Sequence, residues 1–310
     1  MKARVIKSTG SWYILRDDLG NSFKARIRGK FRLDKIQHTN PVAVGDFVDF
    51  TLDKDGFAVI SKIHERKNYI IRKSVNLSKK THIIASNIDK AFLIITVDNP
   101  RTSFGFIDRF LVTAEAYHIP VVLVMNKMDA YSEDQLKEVE FYLSLYQKIG
   151  YESIRVSAHS QLNIEELKQK LKGINSLFSG HSGVGKSTLM NVLHPDLDLK
   201  TSFVSDFNQK GQHTTTFAEM YEWSFGGFCI DTPGIKEFGL AEMEKEEIQD
   251  YFPEIFTAKK ECKFADCLHI NEPQCVVLEK VRTGEIAESR YENYIGFLNE
   301  IEESNSLKGF

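Results

Sequence analysis

The stretch Gly180-His181-Ser182-Gly183-Val184-Gly185-Lys186-Ser187 follows the pattern GxxxxGK[ST], and no other segment of the chain restricts its fold so tightly. The pattern works only where a strand enters it and a helix leaves it. Its glycines wrap the backbone so that successive N–H groups and a helix N-terminus converge on one phosphate. Both flanks are present: Ile174 to Phe178 is an apolar strand candidate, and Ser187 to Leu193 carries a helical pattern. Lys186 is expected to reach the β and γ phosphates of a nucleotide, the Ser187 hydroxyl to bind Mg²⁺, and Thr188 to complete the loop on the phosphate side. The loop alone says nucleotide without saying which one.

The surrounding sequence alternates in the manner the loop requires. Strand candidates at Ala91 to Val97, Val121 to Met125 and Ser153 to Val156 are interleaved with helical patterns at Gly105 to Tyr117, Glu133 to Gln147 and Ile164 to Leu171. That alternation predicts an α/β domain with a parallel sheet covered on both faces. Asn163 with Glu166 three residues later is read as the cap of the last of these helices.

Base identity is carried by Asn126-Lys127-Met128-Asp129, directly after the strand Val121 to Met125. A carboxylate accepts two hydrogen bonds side by side. Guanine presents N1–H and an exocyclic amine in that arrangement, and adenine does not. Asp129 is therefore placed to select guanine, with Asn126 supporting the site and the Lys127 stem packing on the ring. Ser157 and Ala158 follow another strand, as expected of a loop whose backbone amide meets the guanine carbonyl. A third element, Asp231-Thr232-Pro233-Gly234, follows Phe228-Cys229-Ile230; Asp231 can hold Mg²⁺ through water and the Gly234 amide can sense a γ-phosphate. Between them, Gly211-Gln212-His213-Thr214-Thr215-Thr216 is polar, and Thr215, or alternatively Thr214, can close on Mg²⁺. The predicted cofactors are GTP or GDP with Mg²⁺.

Two further segments flank this core. Cys262, Cys267, His269 and Cys275 have the spacing C-x₄-C-x-H-x₅-C, which suits one tetrahedral Zn²⁺ with no open position, hence a structural ion. Cys229 stands apart and is read as a buried core thiol. At the other end, residues 1–80 hold 18 Lys and Arg against 8 Asp and Glu, although the whole chain of 310 residues carries a net charge of −3. Interleaved with those cations are Trp12, Tyr13, Phe23, Phe31, Phe47, Phe50, Phe57 and Tyr69, some of them core. Cations attract a phosphate backbone and aromatic faces stack on bases, so this segment reads as facing nucleic acid. Short strands at Ala3 to Ser8, Trp12 to Arg16, Ser22 to Arg28, Val44 to Leu52 and Phe57 to Ile63 fit a five-stranded barrel of the oligonucleotide-binding type. Residues 64–80 read as a linker. The longest apolar runs reach seven residues, too few to span a bilayer, and the charged N-terminus lacks the apolar core of a signal peptide, so a cytoplasmic protein without a membrane span is expected.

The order of the elements is unusual. The base-reading Asn126–Asp129 and Ser157–Ala158 precede the phosphate loop, which is followed by Thr215 and then Asp231–Gly234, whereas ordinary GTPases begin with the phosphate loop. In this order, with a barrel before it and a zinc candidate after it, the chain resembles the circularly permuted, small-ribosomal-subunit-dependent GTPases of the RsgA (YjeQ/YloQ) family over nearly its whole length. The resemblance implies a permuted P-loop GTPase domain at 69–240, flanked by an OB-type barrel at 1–68 and an α-helical zinc-binding domain at 241–310. It also implies a monomer that binds the small subunit and its 16S rRNA, assists late maturation, and is released by subunit-stimulated GTP hydrolysis. Where Ras-like GTPases place the glutamine that orients water, this chain has Ile235; the resemblance implies that His213 takes that role. Gln212 stands where family members often carry a basic residue, which withdraws an RNA-phosphate contact there. Two other functions fit parts of the sequence. A P-loop kinase or ATPase would accept adenine and be indifferent to Asp129, and a non-catalytic RNA-binding module with structural GTP would be indifferent to His213.

Overall fold

The computed structural model describes residues 1–9, 12–27, 41–73, 81–195, 218–231 and 243–306. Five strands, β1 (Lys2–Ser8), β2 (Tyr13–Arg16), β3 (Ser22–Ile27), β4 (Phe47–Leu52) and β5 (Ala58–Ile63), close on themselves in the order β1-β2-β3-β5-β4, with β4 returning to β1. All contacts of this ring are antiparallel except β3 with β5. The period of two sends Ala3, Val5, Tyr13, Leu15, Ala25, Val48, Phe50, Ala58 and Ile60 inward to one core. The fourth strand starts at Phe47 rather than Val44. Gly45 has φ +95°, and a Cβ there would stand 2.1 Å from the Ser86 carbonyl oxygen, so the chain turns before it can extend.

Residues 64–80, read as a linker, contain a strand. Tyr69–Lys73 (β6) pairs antiparallel with Thr81–Ser86 (β7), and Ile70 and Ile83 are buried. The apolar Tyr69-Ile70-Ile71 outweighs the flanking charge, because one buried face is enough to seat a strand.

The α/β part is built from β8 (Lys90–Ile95), α1 (Phe104–Ala116), β9 (Val121–Met125), α2 (Glu133–Ile149), β10 (Glu152–Arg155), α3 (Ile164–Leu171), β11 (Asn175–Ser179), α4 (Lys186–Leu193), β12 (Glu219–Glu222) and β13 (Phe228–Asp231). Strands β10-β9-β8-β11-β13 run parallel in that order, with β12 antiparallel beyond β13. Alternation along the central strands feeds two cores. Leu93, Ile95, Leu123 and Met125 pack toward α1 and α2, while Phe92, Ile94, Val122 and Val124 pack toward α3 and α4. A capping box starts α2, where Ser132 and Gln135 exchange hydrogen bonds. The cap expected at α3 is different: Asn163 adopts φ 55° and donates its side-chain amide to the Arg155 carbonyl (2.9 Å), so it ties loop to strand instead of capping.

The barrel is fixed to this sheet. Lys7 pairs in register with Glu219 of β12 and their side chains meet at 2.9 Å, and Arg4 reaches Asn175 Oδ1 at 2.8 Å between the rings of Phe47 and Phe228. Asp46, fully buried, receives two bonds from Arg66 at 2.7 Å and one from Ser86 at 2.6 Å.

Beyond residue 242, α5 (Pro253–Ala258), α6 (Val276–Arg282) and α7 (Glu288–Ser306) form a small helical unit whose core takes in Val112 of α1. Arg290 of α7, fully buried, donates to Asp108 Oδ1 of α1 at 2.7 Å and to both oxygens of Glu254 at 2.6 and 3.1 Å. Asp108 also accepts from Tyr146 (2.7 Å) and Asn293 (2.6 Å). Thus α1 is the helix on which the C-terminal unit docks. Among the described residues no helix is long and apolar enough to cross a membrane.

Candidate functional site

Every predicted element that the structure describes leaves the same edge of the sheet. Register sets Ile95 beside Met125, Met125 beside Arg155, and Phe178 beside Asp231, so the segments after β8, β9, β10 and β11, and Asp231 at the end of β13, converge at the carboxyl ends of the parallel strands. That edge is where open α/β sheets bind ligands.

The loop 180–187 joins β11 to α4 as its pattern demands. Gly180 has φ +145°, and a Cβ there would stand 2.4 Å from the Ile94 carbonyl oxygen. Gly185 has φ +93°, and its Cβ would stand 2.5 Å from Asn126 Nδ2. Only glycine satisfies both backbone and space at these two positions. Lys186 folds its ammonium into the mouth of the loop, donating to the carbonyls of Gly180 and His181 (2.8 Å for the latter). Lys186, Ser187 and Thr188 open α4; Ser182 and Gly183 are exposed and Val184 is buried. The His181 ring lies 3.6 Å from that of Phe106 in α1, and burial together with Lys186 lowers its pKa.

Asn126 links the two nucleotide elements. It is buried, its Nδ2 donates to the Val184 carbonyl at 2.9 Å, and its Oδ1 is buried without a partner. Lys127 adopts φ 64° and its ammonium reaches the Asn99 carbonyl. Met128 N–H donates to the Val156 carbonyl at 3.2 Å, which brings the two base-reading loops together. Asp129 Oδ1 accepts from the Ser157 hydroxyl, whose oxygen in turn accepts from Ser160 N–H at 2.9 Å. The Ser157 bond, with His159 adding to it, holds the Asp129 carboxyl below the usual range, so it is ionised at neutral pH and ready to accept. Ser157 and Ala158 are buried under this pocket. An ionised carboxylate beside a buried serine, tied through Asn126 to a phosphate loop, can read a purine and hold its phosphates in one ligand.

Asp231 ends β13 beside the strand that feeds the loop. His213, Thr214, Thr215 and Gly234 lie outside the described residues, as do Gln212, Ile235 and Phe31.

The second cluster is in the C-terminal unit. The ligand atoms of Cys262, Cys267, His269 and Cys275 all lie within 4.8 Å of one another. His269 Nδ1 stands 3.2 Å from the Cys267 and Cys275 sulfurs and 3.7 Å from that of Cys262. On the other side of the ring, Nε2 lies 2.9 Å from Gln249 Oε1. An amide oxygen can only accept, so the proton sits on Nε2 and the Nδ1 lone pair faces the sulfurs. Burial pushes the Cys267 thiol up to about 12, so thiolates there call for a cation. Three soft sulfurs and one imidazole, mostly buried, fit a tetrahedral zinc ion. Gln249, which orients the imidazole, carries no sequence signal. Neither do Tyr291 and Tyr294, whose hydroxyls hold the carbonyls of His269 and Leu268 at 2.7 and 2.9 Å. As expected, Cys229 is a buried core thiol.

Comparison with known proteins agrees with this layout. A model of the RsgA GTPase family matches residues 63–241, and a model of the RsgA N-terminal domain matches residues 2–60. The chain is 56% identical to the small ribosomal subunit biogenesis GTPase RsgA of Christiangramia forsetii, over 98% of both chains. It is 51% identical to the protein of the same description from Bacteroides fragilis, again over 98% of both. The crystal structure of YjeQ from Thermotoga maritima superposes with a TM-score of 0.78 at 37% identity, covering 96% of this chain and 97% of that one. YloQ, described as a circularly permuted GTPase, superposes with a TM-score of 0.77 at 30% identity, covering 98% and 95%.

Proposed function

Because the chain belongs to the RsgA GTPase family, we propose that it binds the small ribosomal subunit through 16S rRNA, assists a late step of that subunit's maturation, and hydrolyses GTP at a rate the subunit raises, so releasing itself. The observation that carries the GTP site is the bond from Asn126 to the Val184 carbonyl, which makes base pocket and phosphate loop one unit despite their inverted order. In this reading Asp129 selects guanine, Asn126 and Lys127 frame it with Met128 as spacer, and Ser157 and Ala158 close its carbonyl side. Gly180 to Thr188 hold the phosphates. Lys186 would leave the loop carbonyls for the β and γ phosphates, and Ser187, Thr215 and Asp231 would hold Mg²⁺, which would neutralise charge on the β and γ phosphates. Gly234 senses the γ-phosphate and His213 orients water.

The barrel is the RNA-facing module. Lys24 extends its ammonium over the Trp12 ring at 4.4 Å, and Trp12 lies 5.5 Å from Phe57, a group of rings and cation suited to base and phosphate together. We place the domain boundaries at 1–68, 69–240 and 241–310, and assign a monomer acting in the cytoplasm.

Zinc is the structural ion of the C-terminal unit. Mass spectrometry of the native protein is expected to find one zinc per chain. Cys267→Ser should lose it and unfold residues 243–306 locally, read as rapid hydrogen exchange in α5 to α7, because the ion's binding free energy is part of the unit's folding free energy. Full metal-free protection in that variant would remove the assignment.

The decisive experiment is nucleotide turnover with and without purified small subunits, using ATP as control. Subunits are expected to accelerate GTP hydrolysis by about 10³-fold or more, the scale on which an externally completed site acts, and to leave ATP untouched. An unchanged GTP rate would reject the ribosomal partner; equal ATP turnover would reject the guanine site.

A further inference from the structure

Asp129 has both carboxylate oxygens engaged, and the two partners differ in kind. Ser157, on Oδ1, is fully buried, and its hydroxyl proton is aimed outward because its oxygen accepts from Ser160 N–H. His159 is on Oδ2: its Nδ1 stands 3.3 Å away and its side chain is 90% exposed. Ser157 can stay in place when a base arrives. His159 is the exposed partner, and it occupies a carboxylate oxygen that a guanine donor must also take.

We propose that His159 is a latch on the base pocket, holding the Asp129 carboxylate while the pocket is empty and displaced from it when a guanine base enters. The proposal rests on Asp129 as the base reader. His159 stands in for the base by offering an N–H to the same oxygen, so nucleotide binding is an exchange of one donor for two. The latch is strongest when the imidazole carries its second proton, since an ion pair then replaces a neutral hydrogen bond. Other charged side chains of the two loops are turned elsewhere: Lys127 reaches the Asn99 carbonyl and Arg155 reaches Glu140 at 2.6 Å, so Asp129 is the charged group that His159 faces among the described residues. While His159 holds Asp129 the empty state gains, and guanine nucleotide binds less tightly than to a protein without the latch.

The test compares GDP–Mg²⁺ affinity by calorimetry in the wild type, His159→Ala, His159→Gln and Asp129→Asn. Truncating so exposed a side chain removes no packing. His159→Ala is expected to bind GDP about two- to fivefold more tightly than wild type, the range open to an exposed pair. His159→Gln keeps a donor for Asp129, and its affinity is expected to lie between the two. Equal or weaker binding by His159→Ala overturns the latch. Asp129→Asn separates the two failures. If it binds GDP as well as wild type, the base-reading assignment itself falls; if it loses affinity while wild type and His159→Ala bind alike, only the latch falls.

Discussion

Replacing Asp129 with Asn is expected to weaken GTP binding by about 10²- to 10⁴-fold, the sum of two charge-assisted hydrogen bonds, and to turn the preference toward xanthine nucleotides. The direction of the side chain makes this prediction sharp. In the native pocket the Ser157 hydroxyl donates to Asp129 Oδ1 and is itself oriented by Ser160 N–H. An asparagine amide placed there keeps its oxygen on Ser157 and therefore turns its NH₂ to where Oδ2 was. Facing the guanine amine, that NH₂ sets donor against donor; facing the xanthine carbonyl, it sets donor against acceptor. Competition binding with GTP, XTP and ATP reads the outcome. Unchanged GTP affinity, or ATP gaining as much as XTP, would mean that another group reads the base.

The second large effect is at the joint between the C-terminal unit and the GTPase domain. Arg290→Met should destabilise that joint by about 3–5 kcal/mol, because Asp108 is left as a fully buried carboxylate without its cation and Glu254 loses two bonds. Adding Asp108→Leu to the variant should recover a large part of the loss, since removing the second charge removes its uncompensated burial. With several domains in one chain a single unfolding free energy is not defined, so the measurement is hydrogen exchange in α1 and α7. A change of less than about 1 kcal/mol in local opening would show that apolar packing around Val112 holds the joint by itself. The network bears on function as well. Through Phe106 against His181, α1 touches the phosphate loop, and through Asp108 it holds the C-terminal unit, so one rigid helix touches both.

Much of the pocket was legible beforehand because its parts are local. Gly180 and Gly185 sit where no side chain fits, Asp129 follows a strand by a fixed interval, and the barrel and sheet strands announce themselves by apolar alternation. Short-range rules failed where a distant contact competed. Asn163 had the neighbours of a cap and was drawn instead to the Arg155 carbonyl; Tyr69–Lys73 looked like charged linker until β7 offered it a partner.

By itself, then, the amino-acid sequence determined which groups the chain brings to its sites: a carboxylate at a strand end, proposed above to read guanine, a phosphate-loop pattern and a soft-ligand cluster, each written in residue types at short spacings that backbone geometry alone makes meaningful. Only the tertiary structure decided which residues stand behind them. Asn126 bonded to Val184, His159 laid on Asp129, Gln249 turned to His269 and Arg290 sealed between Asp108 and Glu254 join positions from 20 to 182 residues apart. Such pairs are set by strand order and helix docking, and burial makes each bond matter, because a polar group removed from water must find its partner wherever the fold has put it.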